Sequence, residues 1–339
     1  MKRLLNTLYI TSPKAWLAKE GECVAVSIDG ALKGKIPIHT LDGLVLFGPV
    51  SCSPFLLGHC AENGVSVSWL TENGKFLAAM HGPVSGNVLL RKAQYAASDR
   101  EEFYLPLVRS FILGKIYNCR TVLRRTARAR PSPDIDVACD LLSDALKRLQ
   151  STPSLDVARG IEGEAARTYF SVFNALITAD DPAFAFNGRN RRPPLDAVNC
   201  LLSFVYTLLA HDIRSALEAV GLDPAVGFLH RLRPGRASLA LDVMEELRPY
   251  LADRLVLTLI NKGQVSPKDF TRQESGAVLM SDAARKTVLL AWQRRKADTA
   301  MHDFLQEQMS LGLFCHAQAR LLARHIRGDL DAYPPVIIR

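Results

Sequence analysis

No C-x-x-C pair occurs in this sequence: Cys23, Cys52, Cys60, Cys119, Cys139, Cys200 and Cys315 are scattered along its 339 residues. An odd, dispersed set in apolar surroundings excludes a disulfide framework and a cysteine-rich zinc site, and reads as reduced cytosolic thiols. There is no P-loop and no G-x-G-x-x-G following a strand, which argues against the common nucleotide-binding folds. The nucleophile elbow G-x-S-x-G is missing as well. Neither a zinc finger nor an RNA-recognition signature is present, so sequence-specific base readout has no visible carrier. Long hydrophobic runs are absent too. The most apolar stretch, Leu195 to Ala210, is too short for a bilayer and contains Asp196 and Asn199. The opening Met1-Lys2-Arg3-Leu4-Leu5-Asn6 imitates a signal peptide, but its apolar run fails at Asn6-Thr7 and stops at Ser12-Pro13. A cytoplasmic protein without a membrane segment is the expectation.

What is there has the balance of an ordinary globular chain: 48% hydrophobic and 22% charged, which leaves disorder and coiled coil as poor readings. The length suffices for two domains with at least one large core. Lys plus Arg exceeds Asp plus Glu, 42 against 34, for a formal charge of +8. That excess is compatible with a polyanion partner without proving one. Arginine supplies most of it, and its planar fork suits phosphate better than an ammonium does.

The first 85 residues predict β structure. Leu8–Thr11, Cys23–Ile28, Leu44–Phe47, Val65–Leu70 and Phe76–Met80 are short β-branched or bulky runs, separated by turns at Glu20-Gly21, Asp29-Gly30 and Glu72-Asn73-Gly74. One short helix is expected between Pro54 and Glu62. After Gly82-Pro83 and Gly86 the apolar period changes to three and four, the helical one. Pro131-Ser132-Pro133 separates two helices, Pro193-Pro194 opens a long one, and Ser266-Pro267 and Ser281-Asp282 look like further starts. The expected class is therefore α+β multidomain: an N-terminal β-sandwich domain (1–85), then a larger all-α domain (86–339).

Three acidic or histidine-bearing segments could carry chemistry. Arg159-Gly160-Ile161-Glu162-Gly163-Glu164 is helical in context yet holds two glycines, each costing roughly 1 kcal/mol against Ala. A glycine kept in a helix can mark a close approach to its backbone. The bland reading is a helix start whose carboxylates meet the dipole. His230 lies among Arg231, Arg233 and Arg236, just before the helix holding Asp242 and Glu245, which stand three apart on one face. Here the bland readings are a surface histidine and acids paired with Arg248 or neighbouring arginines. Two acids and a histidine from separate helices would suit Mg²⁺ or Mn²⁺, the imidazole tilting the choice toward Mn²⁺. Such an ion polarises a phosphodiester and activates a water or sugar hydroxyl. The spacing is not diagnostic by itself.

Basic clusters supply the other half. Arg120, Arg124 and Arg128 recur every four residues, flanked by Arg125 and Arg130; Arg189, Arg191 and Arg192 form a second group; Arg231, Arg233 and Arg236 bracket the acid/histidine segment; Arg294, Arg295 and Lys296 make another. Charge runs are usually solvated faces, but one that brackets a candidate cation site fits a phosphate backbone. His302, His316 and His325 have no ligand-like spacing and read as structural.

Taken together these segments resemble the CRISPR-associated integrase and endonuclease family called, in words, Cas-one. The resemblance rests on Gly160-Ile161-Glu162-Gly163-Glu164-Ala165-Ala166-Arg167-x-Tyr169-Phe170, on Asn190-Arg191-Arg192-Pro193-Pro194-x-Asp196-x-Val198-Asn199, and on His230 followed by Leu241-Asp242-x-Met244-Glu245-x-x-Arg248-Pro249. Gly82-Pro83 with Arg91-x-x-Gln94-Tyr95 resembles the family's inter-domain junction. It runs end to end and is most similar to the type I-C variety. It implies a β-sandwich dimerisation domain, a helical catalytic domain, and metal ligands at Glu162, His230 and Glu245. Asp242 matches a further acid near that site, and the choice between Asp242 and Glu245 as third ligand stays open. Asn199 and Tyr169 match polar positions beside it and, with Arg191, Arg192, Arg231, Arg233 and Arg236, are the expected DNA-binding residues. The implied activity is insertion of short foreign DNA into a CRISPR array by attack of a 3′-hydroxyl, by homodimers bridged by a small ferredoxin-like partner. A branched-DNA repair nuclease and a non-catalytic DNA scaffold are the competing readings.

Overall fold

Eight strands and one helix precede residue 81 in the computed structural model, which describes residues 6–80, 88–191 and 193–338. They are β1 (Asn6–Ile10), β2 (Trp16–Glu20), β3 (Cys23–Ile28), β4 (Ala31–Pro37), β5 (Leu41–Phe47), β6 (Ser51–Cys52), α1 (Pro54–Glu62), β7 (Ser66–Leu70) and β8 (Phe76–Met80). One sheet has the order β1-β5-β7-β8, parallel except for the last pair; the other has the order β4-β3-β2-β6. β5 is apolar on both faces because its sheet is covered on both, so Leu44 and Leu46 share one core with Leu17 of β2, Val24 of β3 and Leu56 of α1. Ser53 caps α1 by accepting from the Leu56 N–H at 3.2 Å. β4 is an exposed edge strand whose Lys33 and Lys35 keep that edge wet.

The remaining elements are α2 (Val88–Ser98), α3 (Glu101–Ala129), α4 (Pro133–Gln150), α5 (Leu155–Ser171), α6 (Ala197–Val220), α7 (Ser238–Arg248), a π turn (Pro249–Asp253), α8 (Arg254–Asn261), β9 (Phe270–Arg272), β10 (Val278–Met280), α9 (Asp282–Ala297), β11 (Thr299–His302), β12 (Glu307–Ser310) and α10 (Leu311–Ile326). Two compact units result: Met1–Ser85 with Ser281–Arg294, and Gly86–Met280 with Arg295–Arg339. The second unit is helical as expected, and the structure differs from the expectation in two details. Most of α9 belongs to the strand-rich unit, where Gln293 donates to Thr7 O at 2.6 Å and Arg285 reaches Glu72 O. The helical unit also holds two antiparallel hairpins, β9–β10 and β11–β12. Ser281-Asp282 does open a helix, whereas Ser266-Pro267 opens only a short 3₁₀ turn. Gly82-Pro83 and Gly86 lie outside the described residues.

In the helical unit α3 is the axis, packed by α4, α5 and α7, while α6 packs against α7 and α10. α6 starts after Asp196, whose Oδ1 accepts from the Asn199 N–H at 2.7 Å, not at the Pro pair. It ends at Gly221, whose φ of 94° closes the helix in the left-handed region. At 24 residues α6 is long and apolar enough to cross a membrane, which corrects the shorter span expected, but most of its apolar surface is buried inside the unit.

α3 approaches α7 most closely at Gly114. A Cβ there would stand 2.8 Å from Glu246 Cβ and 3.2 Å from Pro335 Cβ. Overpacking of a close helix pair costs about 1–3 kcal/mol. Gly114→Ala should therefore lower the melting temperature, and an unchanged melting curve would show that the two helices separate freely.

Candidate active site

The loop between α6 and α7 is held from several directions. Asp242, fully buried on α7, accepts the Phe228 and Leu229 N–H groups on Oδ2 at 2.6 and 3.0 Å. Its Oδ1 accepts the His230 N–H at 2.9 Å and lies 2.7 Å from His230 Nδ1. From α5, Arg159 donates through Nε and Nη2 to Leu229 O at 2.8 and 2.6 Å. From α2, Gln94 donates to Asp223 O and Val226 O and accepts from Asp223 N, each at 2.8 Å, while Tyr95 donates to Asp223 Oδ2 at 2.8 Å. The Arg91-x-x-Gln94-Tyr95 motif is therefore a clamp on the segment that leads to His230. Gly227 is the close approach in this loop, since a Cβ there would fall 2.7 Å from Asp242 Oδ2. By contrast the space beside Gly160 is open, and Gly163 has only the tip of Arg167 within reach, so nothing approaches the α5 glycines closely.

With Nδ1 taken by Asp242, His230 keeps Nε2 available, 3.9 Å from Glu245 Oε1. Glu245 is buried on α7, and Arg248 Nη2 lies 2.9 Å from its Oε1. Lys115 of α3 stands between the two glutamates: its Nζ is 2.8 Å from Glu245 Oε2 and pairs with Glu162 Oε1 of α5. Burial works to raise the Glu245 pKa, but Arg248, Lys115 and His230 overcome it and hold the carboxyl at about 2. The same exchange acts on Lys115, where burial is outweighed by Glu245 and Glu162 and the pKa rises. The bland pairing of Glu245 with Arg248 is thus real, and it coexists with a gathering of Glu162, His230 and Glu245 from three parts of the chain. Among the described residues no three His, Cys, Asp or Glu side chains form a ready coordination set, and Lys115 Nζ stands in their midst.

A buried layer supports α7 from the other side. Glu246 receives Val336 N at 2.6 Å and the Tyr333 hydroxyl, and burial pushes its pKa up to about 7 despite those bonds. Asn118, one turn beyond Lys115, donates to Glu246 O at 2.7 Å and Val336 O at 2.9 Å. Beyond Arg248, the Tyr206 hydroxyl donates to Asp253 Oδ1 at 2.6 Å, and the Arg248 guanidinium lies 4.7 Å from the Tyr206 ring centroid.

The other residues singled out in the sequence differ in their surroundings. Both Asp242 oxygens are engaged by backbone N–H groups and His230, whereas Glu245 faces Lys115, Arg248 and His230 Nε2. Asn199 is fully buried: its Oδ1 accepts from Arg189 Nη1 at 2.6 Å and Asn190 N at 3.1 Å, and its Nδ2 donates to Gly188 O at 2.9 Å. Tyr169 is 1% exposed and packed against Phe170 and Phe173. Both side chains are buried in this structure. Arg191, Arg231 and Arg233 are exposed and Arg236 is half-buried, whereas Arg192 lies outside the described residues. Lys115, Arg159 and Asn118 were missed. The available signal was a lysine and an asparagine inside the apolar run Phe111-Ile112-Leu113-Gly114-Lys115-Ile116-Tyr117-Asn118, one helical turn apart.

A strand-rich unit followed by a helical unit is an architecture shared with proteins of known structure. A CAS1 protein from Thermotoga maritima superposes with a TM-score of 0.83 at 22% identity, over 95% of this chain and 97% of that one. A casposase bound to its integration product gives a TM-score of 0.84 at 24% identity, over 96% and 92%. At those identities the likeness speaks for the fold alone. In sequence, the family described as CRISPR associated protein Cas1 matches residues 8–294. A CRISPR-associated endonuclease Cas1 of Chlorobaculum tepidum is 57% identical over 343 residues, covering 100% of both chains. The chain belongs to the CRISPR-associated Cas1 family.

Asp253 gives the site a pH signature. Burial pushes its pKa from 3.8 up to about 6, against the pull of Tyr206 and Arg248. Between those values the folded chain keeps a proton that the unfolded chain has lost, so this contribution is complete below the lower value and is lost as pH rises through the upper one. The swing is on the order of 3 kcal/mol, from about 1.4 kcal/mol per pKa unit. Asp253→Asn should flatten the fall in melting temperature across that window; an unchanged profile would place the proton elsewhere.

Proposed function

We propose that this protein is the CRISPR adaptation integrase, a metal-dependent DNA endonuclease that inserts short foreign DNA into a CRISPR array. One observation carries the reading: Asp242 fixes His230 through Nδ1 and turns Nε2 toward Glu245, with Glu162 joined to the same group through Lys115. A carboxylate on the far nitrogen is the usual way a metal-binding imidazole is oriented. Among the described residues, buried Glu245 Oε2 is met only by the cationic Lys115 Nζ, at 2.8 Å, a position suited to a positive charge. Two carboxylates and one imidazole suit Mg²⁺ or Mn²⁺, so Glu162, His230 and Glu245 are the residues that would hold it. When bound, the ion supplies electrophilic polarisation of a phosphodiester.

The chain's own residues do the rest. Lys115 and Arg248 keep Glu245 ionised at every physiological pH, because its pKa sits at about 2. Arg159 and Asp242 hold the His230 peptide from both sides, so the ring does not swing when a substrate arrives. Arg231, Arg233 and Arg191 are exposed, and with Arg236 they steer the phosphate backbone. In strand transfer the 3′-oxygen of the incoming fragment forms a bond to the array phosphorus as the bond to the leaving 3′-oxygen breaks. The attacking hydroxyl's proton ends on the leaving oxygen or in solvent. Water in place of the 3′-hydroxyl gives cleavage.

The resemblance carries the rest of the assignment: homodimers formed through the strand-rich unit, a small ferredoxin-like partner bridging two of them, action in the cytoplasm, and the type I-C variety. The test is joining of a labelled 3′-hydroxyl duplex to a plasmid bearing the cognate repeat array, with the small partner present. Wild type with Mn²⁺ should give joined product, while EDTA or Glu162→Ala should abolish it with the fold intact. Joining by Glu162→Ala would remove the mechanism, and cleavage without joining would favour a branched-DNA nuclease.

A further inference from the structure

Lys115 of α3 carries a buried ammonium between two carboxylates from different helices: Nζ lies 2.8 Å from Glu245 Oε2 and pairs with Glu162 Oε1. Arg248 Nη2 meets the other Glu245 oxygen at 2.9 Å. Glu162 and Glu245 on one side and Lys115 and Arg248 on the other leave the group charge-balanced by the chain alone. A buried group in balance has no use for a further double charge unless one of its own cations gives way. Arg248 is held a second time, 4.7 Å from the Tyr206 ring centroid, whereas among the described residues the partners of Lys115 Nζ are the two glutamates. The α3 backbone is pinned at this point. At Gly114 a Cβ would stand 2.8 Å from Glu246 Cβ, and Asn118 donates to Glu246 O at 2.7 Å and to Val336 O at 2.9 Å. Movement is therefore left to the lysine side chain, whose flexible four-carbon stem allows it.

We propose that Lys115 is a built-in competitor of the divalent ion. Its ammonium fills the place between Glu162 and Glu245 that the ion needs, so each expels the other and the lysine sets how tightly the ion is held. The proposal rests on the metal site put forward above and adds to it a residue that opposes loading. Competition reverses the sign expected of an ordinary supporting residue. A side chain that merely orients metal ligands costs about 10–100-fold in metal affinity when it is removed. Removing a competitor raises the affinity instead. The lysine has a second effect, because it keeps two carboxylates at the junction of α3, α5 and α7 from facing each other unneutralised.

The experiment is a Mn²⁺ titration without DNA, read by the electron paramagnetic resonance signal of the free ion, on wild type, Lys115→Gln and Lys115→Arg. Melting curves are taken in EDTA and in Mn²⁺. Lys115→Gln, neutral and of similar length, should bind Mn²⁺ about tenfold more tightly than wild type, and Lys115→Arg should bind it no more tightly. In EDTA the glutamine variant should melt below wild type, since buried carboxylates have lost their partner. Mn²⁺ should then raise its melting temperature by more than it raises that of wild type. A Mn²⁺ affinity in Lys115→Gln equal to or below the wild-type value would overturn the competition and leave Lys115 a structural cross-link. Should Lys115→Gln fail to fold, reductive methylation of wild type, read by peptide mass spectrometry, decides the matter. Lys115 should be spared in EDTA and modified in Mg²⁺, and equal sparing in both would overturn the proposal. Mn²⁺ bound by none of the folded proteins would overturn the metal site itself, and the lysine's role with it.

Discussion

Burying the Asp242 carboxylate without partners would be costly, and what offsets that cost is the set of N–H groups of Phe228, Leu229 and His230 together with the His230 ring. A carboxylate so enclosed dictates the path of the loop around it. The peptide between residues 229 and 230 is gripped on its carbonyl by Arg159 and on its N–H by Asp242, so α5 and α7 are tied through the residue that precedes His230. Because Arg159 and Glu162 share α5, the grip that orients the imidazole also sets the distance to the first glutamate. The α2 clamp on residues 221–226 extends that control back to the end of α6.

Two adjacent glutamates show how environment divides chemistry. Glu245 and Glu246 are both buried on α7, yet one is held at about 2 and the other at about 7. Glu245 faces Arg248, Lys115 and His230, cations that favour the ionised form. Glu246 faces Tyr333, Gln318 and a backbone N–H, which are neutral donors too weak to repay burial. The first is therefore available as a charged group, while the second serves as a staple that fastens the segment Tyr333–Ile338 under α3 and α7. Charge on one side of the helix and a neutral network on the other keep the two roles apart.

Much of this was legible in the residues. Glu20-Gly21, Asp29-Gly30 and Glu72-Asn73-Gly74 marked hairpin turns because positive-φ positions need glycine or a small polar residue, and the short helix between Pro54 and Glu62 was legible as well. β4 was not legible, since an edge strand can be polar on both faces and Ala31–Pro37 carries two lysines. The hairpins β9–β10 and β11–β12 are too short to break a helical period visibly. At the site, the motif residues Glu162, His230 and Glu245 came from resemblance more than from spacing, because carboxylates three apart on a helix are common. Asp242 could not be separated from Glu245 in sequence, since both face inward and only the loop's N–H groups decide which is consumed. Asn199 and Tyr169 were polar residues near the site whose burial a one-dimensional pattern does not reveal.

The most direct check on this account is the nitrogen coupling of bound Mn²⁺, read by pulsed electron paramagnetic resonance on wild type, His230→Gln and Asp242→Asn. A ¹⁴N coupling in wild type, lost in His230→Gln and weakened or altered in Asp242→Asn while the fold persists, is the expected result. Mn²⁺ bound without any nitrogen coupling, or a coupling that survives His230→Gln, would contradict the assignment of His230 Nε2 as the group that Asp242 is built to aim.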